Sequence, residues 1–301
     1  MREARVRATA YPKLTLSLKV LGRRDDGFHD LESLVVSLGQ PNDALEAYAV
    51  PAPGGVRVEL VRDGTADNTP DDIPSDHRNL AFIAAEKLLV RAGRSGHGVR
   101  LVLRKRIPAG AGLGGGSADA AAALLVVRRL LEVDVDDAGI LELAAEVGSD
   151  VTFCVRGGAA WMRGRGEQIE PLALPHGLGF LVAIPPFRLS TPDVYKMWDR
   201  LGGPSAERSV AAPRRIGAVA AELSNDLEPA AEALEPRLRE FRTALERATG
   251  RGALLAGSGS AYVVPVTDAR ALPALVEQVS RRMRVPVVGT TTVARGVRLA
   301  P

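Results

Sequence analysis

The stretch "GAGLGGGSADAAAALLVV", Gly110–Val127, decides the fold of this chain. Glycine fills five of its first seven positions, and the alanines and leucines that follow are strong helix formers. We therefore predict a glycine loop and then a helix of about 16 residues from Ser117 to Leu131, with Ser117 as a candidate N-cap. A helix N-terminus leaves backbone N–H groups unpaired and favours an anion. Glycines in front of it let a phosphate approach the main chain, so the stretch predicts a phosphate cradle.

Two familiar phosphate motifs fit this loop poorly. Residues 110–115 satisfy G-x-G-x-x-G, and acidic residues at 134–137 stand where a dinucleotide fold places its ribose acid. However, the preceding strand "VRLVLRK" carries charges, whereas the first strand of such a fold is buried on both faces. A P-loop would end in G-K-[ST], and this loop ends in "GGGSAD". A dinucleotide-dependent oxidoreductase therefore stays as the less favoured alternative, and a phosphate-binding cation must come from elsewhere.

Composition indicates an ordinary globular protein. The formal net charge is +3, and the basic residues are spread among the acidic ones, so no basic arm points to a nucleic-acid partner. The single cysteine, Cys154, lies in the apolar run "VTFCV" and predicts a buried thiol in a reducing compartment. No apolar stretch approaches 18 residues. We expect a cytoplasmic protein with no membrane partner.

The predicted secondary structure changes along the chain. Up to about residue 75 it is rich in short strands, and later segments mix helices and strands without regular βαβ alternation. This mixture predicts an α+β fold with much antiparallel sheet. Prolines and glycines near residue 170 predict two domains, 1–170 and 171–301. Helices are predicted at 79–92, 136–148 with Gly148 as the stop, 191–200, 209–222, 229–249 and 268–283, and a hairpin about "RGRG".

Two charged residues are candidates for chemistry. The chain has five lysines against 34 arginines, so Lys13, near the start of the strand "LTLSLKV", is an unusual choice of cation. Asp150 follows a helix stop and precedes the apolar run "VTFCV". An edge-strand lysine and a turn-closing aspartate are the structural alternatives. A compact ammonium beside a carboxylate could hold it ionised as a base.

Four segments resemble the GHMP kinases, the superfamily of galactokinase and of homoserine and mevalonate kinases. They are "YPKLTLSLKVLGRRDDGFHDLESL", "PAGAGLGGGSADAAA", "VGSDVTFCVRGGAAW" and "LLAGSGSAYVV", in the same order and at similar spacing over roughly residues 10–300. The resemblance implies a two-domain GHMP kinase fold, with an N-terminal domain like ribosomal protein S5 domain 2 and a ferredoxin-like C-terminal domain. It also implies ATP and Mg²⁺ as cofactors, with metal ligands unknown.

The resemblance assigns roles to individual residues. Lys13 and Asp150 would be catalytic, with Asp150 as the base, and Ser117 would help to hold phosphate or Mg²⁺. ATP would bind over the whole second motif. Its residues are Pro108, Ala109, Gly110, Ala111, Gly112, Leu113, Gly114, Gly115, Gly116 and Ser117.

The triple glycine followed by "SADAA" is similar to the GHMP branch that phosphorylates the 2-hydroxyl of a cytidyl diphospho sugar alcohol. In that branch the cytosine would lie between Phe28 and Tyr195, and His29 would bond its polar edge. Thr15 stands where the branch usually has asparagine, and Phe28 where it usually has tyrosine. Other expected substrate contacts are in the third motif, at Gly257, Ser258 and Gly259, which is followed by Ser260.

Three alternatives stay open beside this prediction. One is another GHMP kinase of homoserine or mevalonate type, and one is the oxidoreductase above. The third is a binding or regulatory protein without turnover, against which the presence of both Lys13 and Asp150 argues. We expect a monomer or weak homodimer.

Overall fold

The computed structural model describes residues 4–51, 53–62, 73–173, 177–203 and 223–301. Its strands are β1 (Arg5–Ala10), β2 (Lys13–Arg23), β3 (His29–Leu38), β4 (Asp43–Val50), β5 (Val56–Arg62), β6 (Gly98–Lys105), β7 (Ala159–Gly164), β8 (Gln168–Pro171), β9 (Gly179–Ala183), β10 (Ser224–Asn225), β11 (Leu254–Leu255), β12 (Tyr262–Val266), β13 (Val287–Val293) and β14 (Val297–Leu299). Its α-helices are α1 (Leu80–Arg91), α2 (Gly115–Leu130), α3 (Asp137–Val147), α4 (Ser149–Arg156), α5 (Thr191–Arg200), α6 (Glu228–Leu234), α7 (Arg237–Thr249) and α8 (Leu272–Met283), and a 3-10 turn, Ala269–Ala271, precedes α8.

These strands form two sheets. The first has the order β14-β1-β4-β6-β5 and is antiparallel except for the parallel pair β5 and β6. The second runs β10-β2-β3-β13-β9-β12-β11, and β7 and β8 extend from β3. Strand β14, from the far end of the chain, lies beside β1, where Ala8 pairs with Leu299 and Ala10 with Val297. The mixed, largely antiparallel arrangement confirms the predicted α+β class.

Strand β3 joins the earlier and later halves of the chain. One edge pairs with β2, and the other pairs first with β7 and then, at Ser37 and Leu38, with β13. A buried apolar cluster packs around the first sheet and α1 to α4, and a second packs around α5 to α8. The predicted boundary near residue 170 falls within β8, next to its last residue, and stays a prediction.

Helix α2 is the buried axis of the first half. Every residue from Ala118 to Leu124 is buried, and the helix packs against α1, α4, β1 and β4. A helix enclosed on all sides has room for only small or apolar side chains, which is why this segment is mostly alanine. Since α2 is fixed on every side, the glycine loop in front of it has a rigid base.

Most predicted elements are present within the described residues, and several boundaries differ. Helices α1, α3 and α5 match their predictions, with Asn79 and Asp136 as N-caps. Helix α2 begins at Gly115 and not at Ser117. The predicted helix 229–249 is two helices, because Pro236 cannot continue α6 and the preceding Glu235 is extended. Helix 209–222 lies outside the described residues.

Two further elements were not predicted from the sequence. The apolar run "VTFCV" lies within α4, in which the four consecutive residues from Val151 to Cys154 are buried. Strand β1 was not predicted, because its alternating charges resemble an exposed segment. In the described part of the chain no helix combines the length and apolar character required to cross a membrane.

Candidate active site

A cleft of about 740 Å³ lies between the two halves of the structure. The glycine loop, the first part of β2 and the start of α4 line one side of it, and α5 and the turn at 257–259 line the other. Every residue predicted for the site borders this cleft. Segments that are far apart in sequence therefore converge on one cavity.

The glycine loop is fixed by main-chain contacts on both sides. The amide of Lys13 donates to the carbonyl of Leu113 at 3.0 Å, and the amide of Ser260 donates to the carbonyl of Gly110 at 3.1 Å. At Gly112, with φ of 78°, an added Cβ would lie 1.8 Å from the carbonyl oxygen of Ala256. Glycine is required there both for its conformation and for the close approach of the two backbones.

The first turn of α2 is open to an anion. Its N-cap is Gly114, in the left-handed region with φ of 66°, and no side chain caps the helix. Ser117 is therefore not the N-cap but lies within the first turn, because glycine adopts the positive φ that a serine would rarely take. No acidic residue occupies this turn. Its unpaired amides and the helix dipole favour a phosphate at this end of the cleft.

Lys13 and Asp150 form an ion pair beside that loop. Nζ of Lys13 lies 3.4 Å from Oδ2 of Asp150, and it donates to Oγ1 of Thr15 at 3.1 Å. The Lys13 side chain is 11% exposed and that of Asp150 is 37% exposed. A Cβ at Gly114 would lie 2.8 Å from Cγ of Lys13, so the lysine stem packs directly on the loop. The pair thus presents a charged carboxylate to the cleft next to the predicted phosphate cradle.

The other end of the cleft holds aromatic rings. The imidazole of His29 stacks on Tyr195 with centroids 4.8 Å apart, and the edge of Trp198 meets it at 5.5 Å. Burial, and then the carboxylate of Asp150, raises the pKa of the Tyr195 hydroxyl above its usual value. Phe28 is 54% exposed at the mouth of the cleft. A stacking platform therefore lies in the same cleft as the ion pair of Lys13 and Asp150, although His29 already covers one ring face of Tyr195.

Comparison with known proteins identifies the family. The model of the GHMP kinases N terminal domain matches residues 79–158, and that of the GHMP kinases C terminal matches residues 207–285. A protein of Pelotomaculum thermopropionicum named 4-diphosphocytidyl-2-C-methyl-D-erythritol kinase is 40% identical over 259 residues, which cover 84% of this chain and 86% of that protein. The chain belongs to the 4-diphosphocytidyl-2-C-methyl-D-erythritol kinases, a branch of the GHMP kinase family. It is thus a small-molecule kinase with ATP as cosubstrate, and the predicted GHMP fold is confirmed.

Solved structures agree with this assignment to the 4-diphosphocytidyl-2-C-methyl-D-erythritol kinases. The structure of a 4-(cytidine 5'-diphospho)-2C-methyl-D-erythritol kinase matches with a TM-score of 0.75 at 34% identity, covering 95% of this chain and 98% of that one. A homoserine kinase from Cytophaga hutchinsonii matches with a TM-score of 0.71 at 18% identity, covering 100% and 98%. The second match shows the shared fold alone. Neither the homoserine or mevalonate type nor the oxidoreductase is favoured.

The glycine loop of this kinase rests on a buried charged cluster that the sequence did not reveal. Nζ of Lys105 contacts the carboxylates of both Asp43 and Asp119, and Asp43 also accepts hydrogen bonds from the amides of Arg106 and Ile107. Burial alone would lower the pKa of Lys105, but the two carboxylates outweigh it and raise the pKa. The cluster ties the end of β6, where the loop begins, to the first turns of α2.

Side chains of two other elements, β10 and α5, hold the third motif of the kinase in place. Nδ2 of Asn225 donates to the carbonyls of Leu255 at 2.9 Å and Gly257 at 2.6 Å. At the cleft surface the hydroxyls of Thr191 and Ser258 lie 2.6 Å apart. The turn at 257–259 is therefore more than a hairpin connection, since it is braced against β10 and the N-terminus of α5.

Sequence reasoning missed the residues that support the site in this kinase. Asp199 accepts a hydrogen bond from His29, and Asn225 and Lys105 act as described above. The rarity of lysine was a usable signal for Lys105, but Asp199 and Asn225 carry none in their local pattern. In the described part of the chain, no three His, Cys, Asp or Glu side chains are grouped so as to hold a metal ion.

Proposed function

We propose that this kinase transfers the γ-phosphoryl group of ATP to the 2-hydroxyl of 4-diphosphocytidyl-2-C-methyl-D-erythritol, as the names of its relatives indicate. The observation that carries the proposal is the 3.4 Å contact between Lys13 and Asp150 in a cleft that also contains the glycine loop and the His29 and Tyr195 rings. One cavity therefore offers a base, a phosphate cradle and a platform for a nucleoside.

Asp150 acts as the base in this proposal. Phosphoryl transfer requires that the attacking hydroxyl lose its proton as the bond to phosphorus forms. The partly exposed carboxylate can reach an alcohol in the cleft, and the ammonium of Lys13, 3.4 Å from it, polarises the incoming oxygen. Lys13 is itself held by Thr15, so the usual asparagine is replaced by a residue that orients the lysine.

The phosphates of ATP lie over residues 108–117 in this proposal. The uncapped first turn of α2 supplies backbone amides, and the glycines allow the phosphates to approach the main chain. Cations outnumber carboxylates along the cleft, whose charged lining residues are Lys13, Arg23, Arg165, Lys196, Asp150 and Asp199. This excess of positive charge suits two polyanionic substrates, because the cleft must hold both ATP and a diphosphate.

The cytidyl end of the acceptor lies near His29 and Tyr195. A base that stacks there gains about 1 to 3 kcal/mol per stacked ring, with little discrimination between bases. Phe28, at the mouth of the cleft, provides a second aromatic surface. Gly257, Ser258 and Gly259 lie across from Lys13, where a Cβ at Gly257 would be 3.5 Å from its Nζ, and close the site over the reacting alcohol.

The donor set also fits Mg²⁺. This ion takes oxygen ligands and is usually held by one or two protein groups together with substrate phosphates. The hydroxyl of Ser117 borders the cleft in the first turn of α2 and would hold the ion there together with the phosphates of ATP. When bound, Mg²⁺ neutralises the charge that develops on the transferring phosphoryl group.

A coupled assay of ADP release tests the proposal directly. We expect turnover with the cytidyl alcohol and turnover lower by orders of magnitude with galactose, mevalonate or homoserine, in the presence of ATP and Mg²⁺. Equal or greater turnover with one of those three alcohols would overturn the assignment of the acceptor. ADP release that does not depend on any alcohol would overturn the kinase reaction itself.

A further inference from the structure

One helix holds His29 from three directions. Tyr195 stacks on the imidazole face with an interplanar angle of 25°, and Trp198 meets it at 89°. The third contact comes from Asp199, whose Oδ1 lies 2.8 Å from Nε2 of His29. These three residues share one face of α5 because they are spaced by three and four positions. The His29 side chain is 8% exposed, so its ring orientation is fixed.

The contact with Asp199 determines where the imidazole carries its proton. A carboxylate accepts hydrogen bonds and does not donate them, so Nε2 is the protonated nitrogen. In the tautomer with its proton on Nε2, the other ring nitrogen, Nδ1, is an acceptor. Within the described residues Nδ1 has no hydrogen-bond partner. It is not one of the fully buried polar atoms that lack a partner, so this nitrogen is accessible from the surface. An acceptor nitrogen therefore stands open beside the stacking platform.

Asp199 is also held in place from the neighbouring strand. Its Oδ2 lies 3.9 Å from Nη1 of Arg23, and Arg23 pairs across the β2–β3 ladder with His29 itself. The aspartate thus contacts both members of one cross-strand pair. Because its two oxygens contact different partners, the orientation of the carboxylate is fixed.

We propose that Asp199 is the positioning residue that makes the kinase select cytosine over uracil. By keeping the proton on Nε2, it leaves Nδ1 of His29 to accept from the exocyclic amino group of cytosine. Uracil has a carbonyl oxygen at that position, which would leave two acceptors facing each other. The inference rests on the proposed function, because it assumes that the nucleoside of the acceptor lies beside His29.

Turnover ratios in matched variants test this. We compare kcat/KM for the cytidyl alcohol with that for its uridyl analogue in wild type, Asp199→Ala, Asp199→Glu and Asp193→Ala. Loss of a charge-assisted hydrogen bond predicts that Asp199→Ala lowers the cytidyl-to-uridyl ratio by about tenfold or more. Asp199→Glu keeps a carboxylate within reach and should retain most of the preference. Asp193→Ala removes an exposed carboxylate from the first turn of the same helix and should leave the ratio unchanged.

A purely structural role would give a different pattern. It would lower turnover of both substrates equally in Asp199→Ala, and an unchanged ratio would therefore overturn the inference. Nitrogen-15 NMR of the labelled imidazole, assigned with His29→Asn, gives a readout independent of activity. We expect a protonated Nε2 in wild type, and a protonated Nδ1 would also overturn the inference. Absence of turnover with the cytidyl alcohol in wild type would instead contradict the proposed function.

Discussion

Nζ of Lys13 lies 3.4 Å from Oδ2 of Asp150, and its stem packs against Gly114 at the N-cap of α2. The contact joins the first residue of β2 to the first turn of α4 across the end of the glycine loop. The residue proposed to activate the acceptor and the loop proposed to hold the donor are therefore fixed to each other. The proposed base and the proposed phosphate-binding loop are thus both held by Lys13 at the start of β2.

Asp150→Asn should abolish most turnover without affecting ATP binding. A positioned general base contributes about 10² to 10⁴ in rate, so kcat should fall by that factor. The substitution leaves the buried ammonium of Lys13 beside the amide oxygen of asparagine and the hydroxyl of Thr15, so the melting temperature should fall only modestly. Steady-state kinetics measure kcat, and a thermal melt measures the melting temperature. Asp137→Asn, which removes an exposed carboxylate paired with Arg128, is the control, and undiminished turnover in Asp150→Asn would remove this residue from the mechanism.

Lys13→Met should lower kcat by about 10² to 10³, the usual cost of removing one group that stabilises developing charge. Methionine keeps an unbranched stem against Gly114, so the loop should retain its shape. The matched control is Lys87→Met, since Lys87 pairs with Glu146 on the surface. If Lys13→Met impaired only ATP binding, as seen in KM, the lysine would belong to the phosphate site instead.

Gly112→Ala and Gly116→Ala separate the two roles of glycine in the loop. A Cβ at Gly112 would lie 1.8 Å from the carbonyl oxygen of Ala256, whereas a Cβ at Gly116 would make ordinary contact with Leu80 at 3.4 Å. We expect Gly112→Ala to raise KM for ATP and lower the melting temperature. Gly116→Ala, inside α2, should be neutral or stabilising by up to about 1 kcal/mol. Equal behaviour of the two variants would argue against close backbone packing at Gly112.

Lys105→Met should destabilise the protein strongly. It leaves the buried carboxylates of Asp43 and Asp119 without a cation, and breaking a buried pair in this way costs about 3 to 5 kcal/mol. Asp119→Asn should cost much less, because Lys105 keeps its ion pair with Asp43 and no buried charge is left without a partner. Urea unfolding followed by circular dichroism gives both free energies of unfolding. A smaller loss for Lys105→Met than for Asp119→Asn would contradict the assignment.

Cys154 should react with thiol reagents only when the protein unfolds. Burial, and then the nearby carboxylate of Asp150, raises the pKa of its thiol above the usual value. At pH 8 to 9, where an ordinary thiol of pKa about 8.5 is substantially ionised, the folded protein therefore has almost no thiolate. Labelling by a disulfide reagent should be slow in buffer and fast in urea. Rapid labelling at pH 8 without denaturant would show that this thiol is accessible.

The sequence predicted the parts of the site that are contiguous. The glycine loop with α2, and Asp150 beside a helix stop, are local patterns whose chemistry can be interpreted without knowing the fold. Lys13 was identifiable because lysine is rare in this chain. The positions of all three in one cleft agree with the expectation, while their catalytic roles stay predictions.

The supporting contacts could not be predicted, because each depends on two distant elements. Asp199 meets His29 only when α5 packs against the start of β3, and Asn225 reaches Gly257 only when β10 joins β2. Helix α6 ends before Pro236, which cannot continue it, but the helical pattern of the surrounding residues predicted one unbroken helix. Long-range pairing, rather than propensity, accounts for most of what was missed.

The pairing of β14 with β1 has a consequence for synthesis on the ribosome. Strand β1 is synthesised well before its partner Val297–Leu299, which lies much later in the chain. At translation rates of 5 to 20 residues per second, the first strand waits roughly 15 to 60 s with that edge uncovered. An uncovered edge can recruit a strand from another chain. Arg5 and Arg7 lie just before the uncovered residues Ala8–Ala10 and form ion pairs with Glu46 of β4, and charged side chains at a strand edge oppose such recruitment.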